Sequence, residues 1–161
     1  MMKRLLVLFA SIMLFNECMA FAEVAKDKMV LRYVVRSTRN GDTEMSISGK
    51  DGSVTVMREL QKLGCPRTWD KTCFAQRTYN GQISVAKVSG IIDEIFKKDL
   101  FTLPKPDYYP APGDDQYAIG ILVDGEKPRY ANATKSTLDS NKPFKKVQAQ
   151  LQKIASKYSK I

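Results

Sequence analysis

The stretch "VLRYVVR" (residues 30–36), followed by Asn40-Gly41 and "TEMSIS" (residues 43–48), decides the fold of this 161-residue chain. β-Branched and aromatic residues dominate the first segment, as is typical of strands. Asn and Gly both tolerate a positive φ, so Asn40-Gly41 is a strong hairpin turn signal. These residues predict two antiparallel strands joined by a hairpin turn at Asn40-Gly41.

The residues that follow extend this hairpin into a meander. Residues 49–52 turn the chain again, and "SVTVMREL" (residues 53–60) supplies a third strand. After a cysteine-bracketed loop, "CFAQRTY" (residues 73–79) predicts a fourth strand, which the turn signal Asn80-Gly81 is expected to end.

From Ser84 the apolar period changes to three and four residues, which predicts an amphipathic helix that Ser84 caps and that ends near Leu100. A second helix is predicted near the C-terminus, with Ser140 or Asn141 as the cap and Pro143 in the first turn. The apolar faces consist of Val85, Val88, Ile91, Ile92, Ile95 and Phe96 in the first helix, and of Phe144, Val147, Leu151, Ile154, Ala155 and Tyr158 in the second.

Between the helices lies "LPKPDYYPAPGDD" (residues 103–115), which holds four of the seven prolines and is therefore predicted to be an extended surface loop. Alternating apolar residues at 117–123 then run into Asp124-Gly125, a second hairpin signal, and "KPRYAN" returns. Gly120 inside this strand predicts a bulge or the close approach of another element.

Together these elements predict an α+β fold. Its antiparallel sheet combines the N-terminal meander with the C-terminal hairpin, and two helices pack on one face. The residues expected in the core are Val34, Val56, Ile91, Ile95, Ile121, Val147, Leu151 and Ile154.

The first 22 residues have the features of an export signal. Lys3 and Arg4 precede an apolar run at residues 5–15, and Ala20-Phe21-Ala22 fits a signal peptidase site. The run of about eleven residues is shorter than the roughly 20 that a spanning helix needs. We therefore expect residues 1–22 to be a signal peptide and residues 23–161 to be a single domain, periplasmic or extracellular. A lipid anchor on Cys18 is the alternative, but Glu17 directly before this cysteine is a poor match to lipoprotein signals.

Charge and cysteine content follow from that cleavage. The mature chain carries 24 Lys and Arg against 16 Asp and Glu, a net charge of +8, and it keeps only Cys65 and Cys73. In an oxidising compartment this pair predicts a disulfide. Seven intervening residues rule out a CxxC redox motif, and two thiolates are too few for a metal site. A crosslinked loop displaying Arg67, Trp69 and Lys71 is a candidate contact loop; alternatively, Trp69 folds back over the sheet.

Two further surfaces are candidates for contact. The Pro-rich loop carries Tyr108 and Tyr109, either as rigid contact residues or within a plain spacer. Six lysines share the face of the second helix opposite its apolar side, either as a solvated face or as a site for an anionic envelope surface. They are Lys142, Lys145, Lys146, Lys153, Lys157 and Lys160. Nucleic acid is not expected as a partner, because no recognition motif is present.

Catalysis is not expected. The chain has no His, which removes the Ser-His and Cys-His nucleophile systems and the commonest zinc ligand sets. No phosphate-binding glycine motif precedes a helix, and no pair of carboxylates is brought together by its spacing. We therefore expect no catalytic residue, no metal and no cofactor.

The segments "ISVAKVSGIIDEIFKKDLFTLP" (residues 83–104) and "YAIGILVDGE" (residues 117–126), with an acidic loop between them, resemble small exported bacterial domains of the emfourin type. Emfourins are protein inhibitors of thermolysin-like metalloproteases, so the resemblance implies inhibition of a secreted protease and carries no site residue across. From the residues themselves we expect a binding protein that uses the disulfide-closed and Pro-rich loops. The alternatives are a protease inhibitor and a binder of anionic envelope surfaces.

Overall fold

The computed structural model describes residues 25–37, 40–65, 71–102 and 114–159, and within them it contains one six-stranded antiparallel sheet. The strands follow the order β4-β3-β2-β1-β5-β6 across the sheet. The predicted meander and C-terminal hairpin are confirmed, and β5 joins the two parts by pairing with β1. The strand bounds are β1 Met29–Arg36, β2 Thr43–Ser48, β3 Ser53–Gln61, β4 Phe74–Gln82, β5 Gln116–Val123 and β6 Arg129–Thr134.

Both predicted helices are present on one side of the sheet, as α1 (Val85–Lys97) and α3 (Lys142–Tyr158). The side chain of Ser84 caps α1, and Asn141 Oδ1 accepts a hydrogen bond of 3.2 Å from the backbone N–H of Phe144 at the start of α3. A short helix, α2 (Lys135–Leu138), was not predicted; a capping box built on Thr134 begins it directly after β6. The predicted α+β fold class is confirmed.

The core lies between the sheet and the two long helices. Because side chains alternate along a strand, Leu31 and Tyr33 point from β1 towards the helices and are fully buried. Val34 points the opposite way, so although it is only 9% exposed it lies on the uncovered face of the sheet. The other predicted core residues belong to the core: Val56, Ile91, Ile95, Ile121, Val147, Leu151 and Ile154.

One turn prediction is wrong, because the strand continues through the predicted turn. Asn80-Gly81 does not end the fourth strand; β4 continues to Gln82, and Gly81 pairs with Val54 of β3. A Cβ atom on Gly81 would lie 2.2 Å from the ring of Tyr158, so the glycine makes room for that ring. The predicted close approach at Gly120 is confirmed, since a Cβ there would lie 2.4 Å from the ring of Tyr130.

A buried polar cluster ties the middle of β1 to α3. The Nε2 of Gln148 donates to the Tyr33 hydroxyl over 3.0 Å, and that hydroxyl donates to Oε1 of Gln152 over 2.8 Å. Burial of the Tyr33 ring raises the pKa of its hydroxyl far above the usual value. The hydroxyl therefore stays protonated and serves as a structural link between sheet and helix.

Candidate functional site

The base of the cysteine loop is held rigidly at one end of β3 and β4. Cys65 and Cys73 form the predicted disulfide, with their Cα atoms 5.7 Å apart, and Cys73 is buried. The backbone N–H of Lys62 donates to the carbonyl of Cys73 over 2.8 Å, and the Nζ of Lys62 donates to the carbonyl of Thr72 over 2.7 Å. The loop is thus closed by a covalent bond and by two hydrogen bonds.

The predicted contact residues of this loop are only partly covered by the structure. Arg67 and Trp69 lie outside the described residues, and Lys71 is described only as part of a short 3-10 turn. Leu63, which is fully exposed beside the loop, is not among the predicted contact residues. The signal in the sequence is an apolar residue placed directly before Gly64-Cys65, where the chain turns.

The Pro-rich loop also has a well-defined exit. Tyr108 and Tyr109 lie outside the described residues. At the end of this loop, where the described residues resume, the Asp114 carboxylate accepts a hydrogen bond of 2.8 Å from the Ser136 hydroxyl. The Asp115 carbonyl accepts one of 2.8 Å from the N–H of Lys135. Asp114 therefore anchors the loop against the start of α2.

The antiparallel topology brings these loop ends to the same end of the sheet. β3 ends at Gln61, β4 begins at Phe74, β5 begins at Gln116 and β1 ends at Arg36, and the strand register places all four positions at one end. The disulfide-closed loop, the connection between β1 and β2 and the exit of the Pro-rich loop therefore share this loop end of the molecule.

A shallow groove on the uncovered face of the sheet opens at the loop end. It has a volume of about 400 Å³ and is formed by β1, β5 and β6. Its polar lining includes Arg32, Arg36, Gln116, Tyr130 and Asn132. This groove is not among the predicted sites, although polar and apolar residues alternate on these strands and so indicate that one face of the sheet is exposed.

Ion pairs fix the arginines of this groove. The guanidinium of Arg32 pairs with Glu44 and donates to the Tyr130 hydroxyl, and the hydrogen bond with Glu44 raises the pKa of Arg32. Arg36 donates to Asp42 over 2.8 Å. Because its charges are largely balanced, the groove offers hydrogen-bonding groups and the ring of Tyr130 rather than a strong net charge.

The lysine face of α3 is partly neutralised. The Nζ of Lys146 lies 2.7 Å from the Glu94 carboxylate of α1, and Lys145 pairs with Asp139. The pair with Lys146 lowers the pKa of Glu94. Lys142, Lys153 and Lys157 are exposed, and Lys160 lies outside the described residues. The stripe is therefore less positive than the sequence predicts.

Similarity to other proteins does not narrow the function: no protein-family model matches this chain, and neither does any curated protein sequence. Within the described ranges, no helix combines the length and apolar character needed to cross a membrane. In the same ranges, no three or more Cys, Asp or Glu side chains gather into a group that could hold a metal ion.

Proposed function

We propose that this chain is an exported, non-enzymatic binding protein that contacts a protein partner through the loop end of its sheet. The observation that carries the proposal is the shared position of the disulfide-closed loop, the exit of the Pro-rich loop and the groove. The Cys65–Cys73 disulfide supports a periplasmic or extracellular location, because such bonds persist in oxidising compartments.

The rigidity of the loop bases supports this role. A loop that is already ordered loses less conformational entropy when it binds, so more of its contact energy remains as affinity. The disulfide and the Lys62 hydrogen bonds order one loop base, and the Asp114 hydrogen bonds order the other. The exposed Leu63 adds apolar surface beside the first loop.

Site-specific photocrosslinking tests the proposal. A photoreactive residue replaces Leu63 at the loop end, and a matched control replaces Val85, which is also exposed but starts α1 at the opposite end of the sheet. With the exported fraction of the native host, we expect a discrete adduct from position 63 that Trp69→Ala abolishes. Equal adducts from both positions, or none from position 63, would contradict a contact surface at the loop end.

The narrower form of this proposal is inhibition of a secreted protease, which the resemblance to emfourin-type domains suggests. The ordered bases of its loops support it, because a loop that is held in place before binding loses less conformational entropy on the enzyme. Sub-micromolar inhibition of a thermolysin-like metalloprotease by the mature protein would support inhibition. If metallo-, serine and cysteine proteases all keep full activity at micromolar concentrations of the protein, the narrower form fails and the broader binding role remains testable.

The lysine face is not included in the proposal. Two of its lysines are already paired with carboxylates, so an anionic surface would have to compete with Glu94 and Asp139 for them. This competition lowers the free energy that such a surface could gain from the helix.

A further inference from the structure

The edge of the sheet formed by β4 is open, and the hydrogen bonds at its two ends show which residues face outward. The N–H of Lys62 donates to the carbonyl of Cys73, and the N–H of Ile83 donates to the carbonyl of Gly52. Both pairs continue the register of β3 with β4. In an antiparallel ladder alternate residues bond to the same neighbour, so odd-numbered β4 residues bond to β3. The even-numbered residues direct their N–H and C=O groups away from the sheet.

Gln76, Thr78 and Asn80 are three such residues in succession, with backbone N–H and C=O groups that point away from β3. All three residues are exposed, and no described strand pairs with this side of β4. At one end of the edge, the hydroxyl of Tyr158 donates to the carbonyl of Gln82 and occupies that acceptor. Among the described residues, no partner contacts the outward backbone donors and acceptors of Gln76, Thr78 and Asn80. Such a row is the template that an added strand uses.

The opposite edge, β6, is built differently. Its hydrogen bond from Lys135 N–H to the Asp115 carbonyl places Tyr130, Asn132 and Thr134 on the outward side. The N–H of Thr134 is occupied by the hydroxyl of Thr137 at 3.0 Å, and Pro128 directly precedes the strand. Proline and local capping are common ways of blocking an edge, so β4 is the more accessible of the two edges.

The side chains of β4 indicate the charge of the strand that would pair with it. Arg77 lies directly opposite Arg58 of β3, so two like charges face each other on the same side of the sheet. Like charges in this position destabilise a strand pair. In the described ranges neither guanidinium has an ion-pair partner. A carboxylate on an added strand, next to Arg77, would offset this repulsion.

We propose that the free edge of β4 binds an extended peptide segment by strand addition, with an acidic side chain of that segment beside Arg77. This inference deepens the proposed function and rests on it, because it takes the partner to be a protein. The partner that binds the loop end would place one extended segment along β4. Backbone hydrogen bonds to Gln76, Thr78 and Asn80 supply the pairing, and Arg77 supplies the preference for acidic residues.

Amide NMR with a synthetic probe tests this inference on the full mature protein. The probe is an end-blocked heptapeptide of alternating threonine and glutamate, and its two controls carry lysine for glutamate or alternate N-methylated backbone nitrogens. With the acidic peptide, we expect the amide protons of Gln76, Thr78 and Asn80 to gain protection from exchange. Ala75, Arg77 and Tyr79 should change little, because their amides already bond to β3.

Three variants sharpen the test. Thr78→Pro removes an outward N–H, which edge strands tolerate, and should weaken binding at least about tenfold, whereas its control Thr78→Val keeps the N–H and should bind normally. Arg77→Gln should weaken binding of the acidic peptide by about two- to fivefold, the effect of losing one exposed ion pair. A thermal melt of each variant establishes that it is folded.

Several results would overturn the inference. These are equal binding of the N-methylated peptide, equal binding of the lysine peptide, or protection that appears elsewhere than on β4. The inference would also fail if sedimentation shows a dimer and if the β4 amides of that dimer are protected without peptide. In that case a second copy of the chain occupies the edge. None of these results affects the crosslinking from position 63, so failure of the inference and failure of the proposed function are distinguishable.

Discussion

Removing the hydroxyl of Tyr33 should destabilise the protein because it leaves a buried donor without a partner. In Tyr33→Phe, the Nε2 of Gln148, a residue only 8% exposed, loses the acceptor that it contacts at 3.0 Å. The amide of Gln152 also loses a hydrogen bond, but its side chain is exposed and can bond to water instead. The expected loss therefore comes almost entirely from Gln148.

The cost of leaving a buried polar group unsatisfied is roughly 1–3 kcal/mol, so we expect Tyr33→Phe to lower the free energy of unfolding by about 2 kcal/mol. For a domain of this size that corresponds to a fall in melting temperature of roughly 6 °C. The double variant Tyr33→Phe with Gln148→Leu replaces both partners by apolar groups, and it should recover most of the loss.

Urea unfolding of the wild type, the two single variants and the double variant measures this coupling, provided that the m-value stays constant. Tyr79→Phe is a matched control, because the Tyr79 hydroxyl is buried without a hydrogen-bond partner in the described part of the chain. We expect that variant to be neutral or slightly stabilising. If Tyr33→Phe is also neutral, or if the double variant loses the sum of the two single losses, the reasoning from the buried donor is refuted.

Three further predictions concern the disulfide, an ion pair and a glycine. Replacing both cysteines by serine should lower the free energy of unfolding by about 2.5 kcal/mol, the loop-closure value for a loop of this size. An equal loss when the wild-type disulfide is reduced would show that the crosslink, and not the change of side chains, is responsible. The pKa of Glu94 is lowered in the folded state by its pair with Lys146. The pair therefore stabilises the protein fully at a pH above the ordinary carboxyl pKa, and this contribution is lost as the pH falls through the lowered pKa. Carbon NMR titration should show the pKa of Glu94 rising in Lys146→Gln, and an unchanged titration would contradict the assignment. Gly81→Ala should lower the free energy of unfolding by about 1–2 kcal/mol, because the added Cβ would displace the ring of Tyr158. In a Tyr158→Ala background the same change should be neutral or stabilising. Equal losses in both backgrounds would show that the ring contact is not the cause.

The elements with strong periodicity could be predicted from the sequence. The three- and four-residue apolar spacing of α1 and α3 and the side-chain caps Ser84 and Asn141 are local signals, and both helices formed where these signals placed them. Asn80-Gly81 carries an equally strong local signal for a turn, yet it pairs with β3 and packs against the ring of Tyr158, and both contacts are distant in the chain. Long-range packing of this kind leaves no local trace.

The surfaces were harder to predict than the fold. Val34 is buried, as the sequence predicts, but it lies on the face away from the helices, because only the choice of covered face decides which alternate residues of β1 meet them. The position of the groove beside Val34 likewise depends on which face of the sheet the helices cover. By contrast, the shared position of the two contact loops follows from antiparallel pairing: β3 ends where β1 ends, and β5 begins there because it runs antiparallel to β1. It could have been predicted from the strand order.

The unequal edges of the sheet limit how many neighbours one molecule can acquire by strand pairing. A protein with two open edges can add a copy on each side, and head-to-tail growth of this kind has no natural end. Here Thr134 and Pro128 obstruct part of one side, so a strand is expected to pair preferentially with β4, the more accessible edge. Assembly through this sheet is therefore expected to favour one partner per chain over head-to-tail growth.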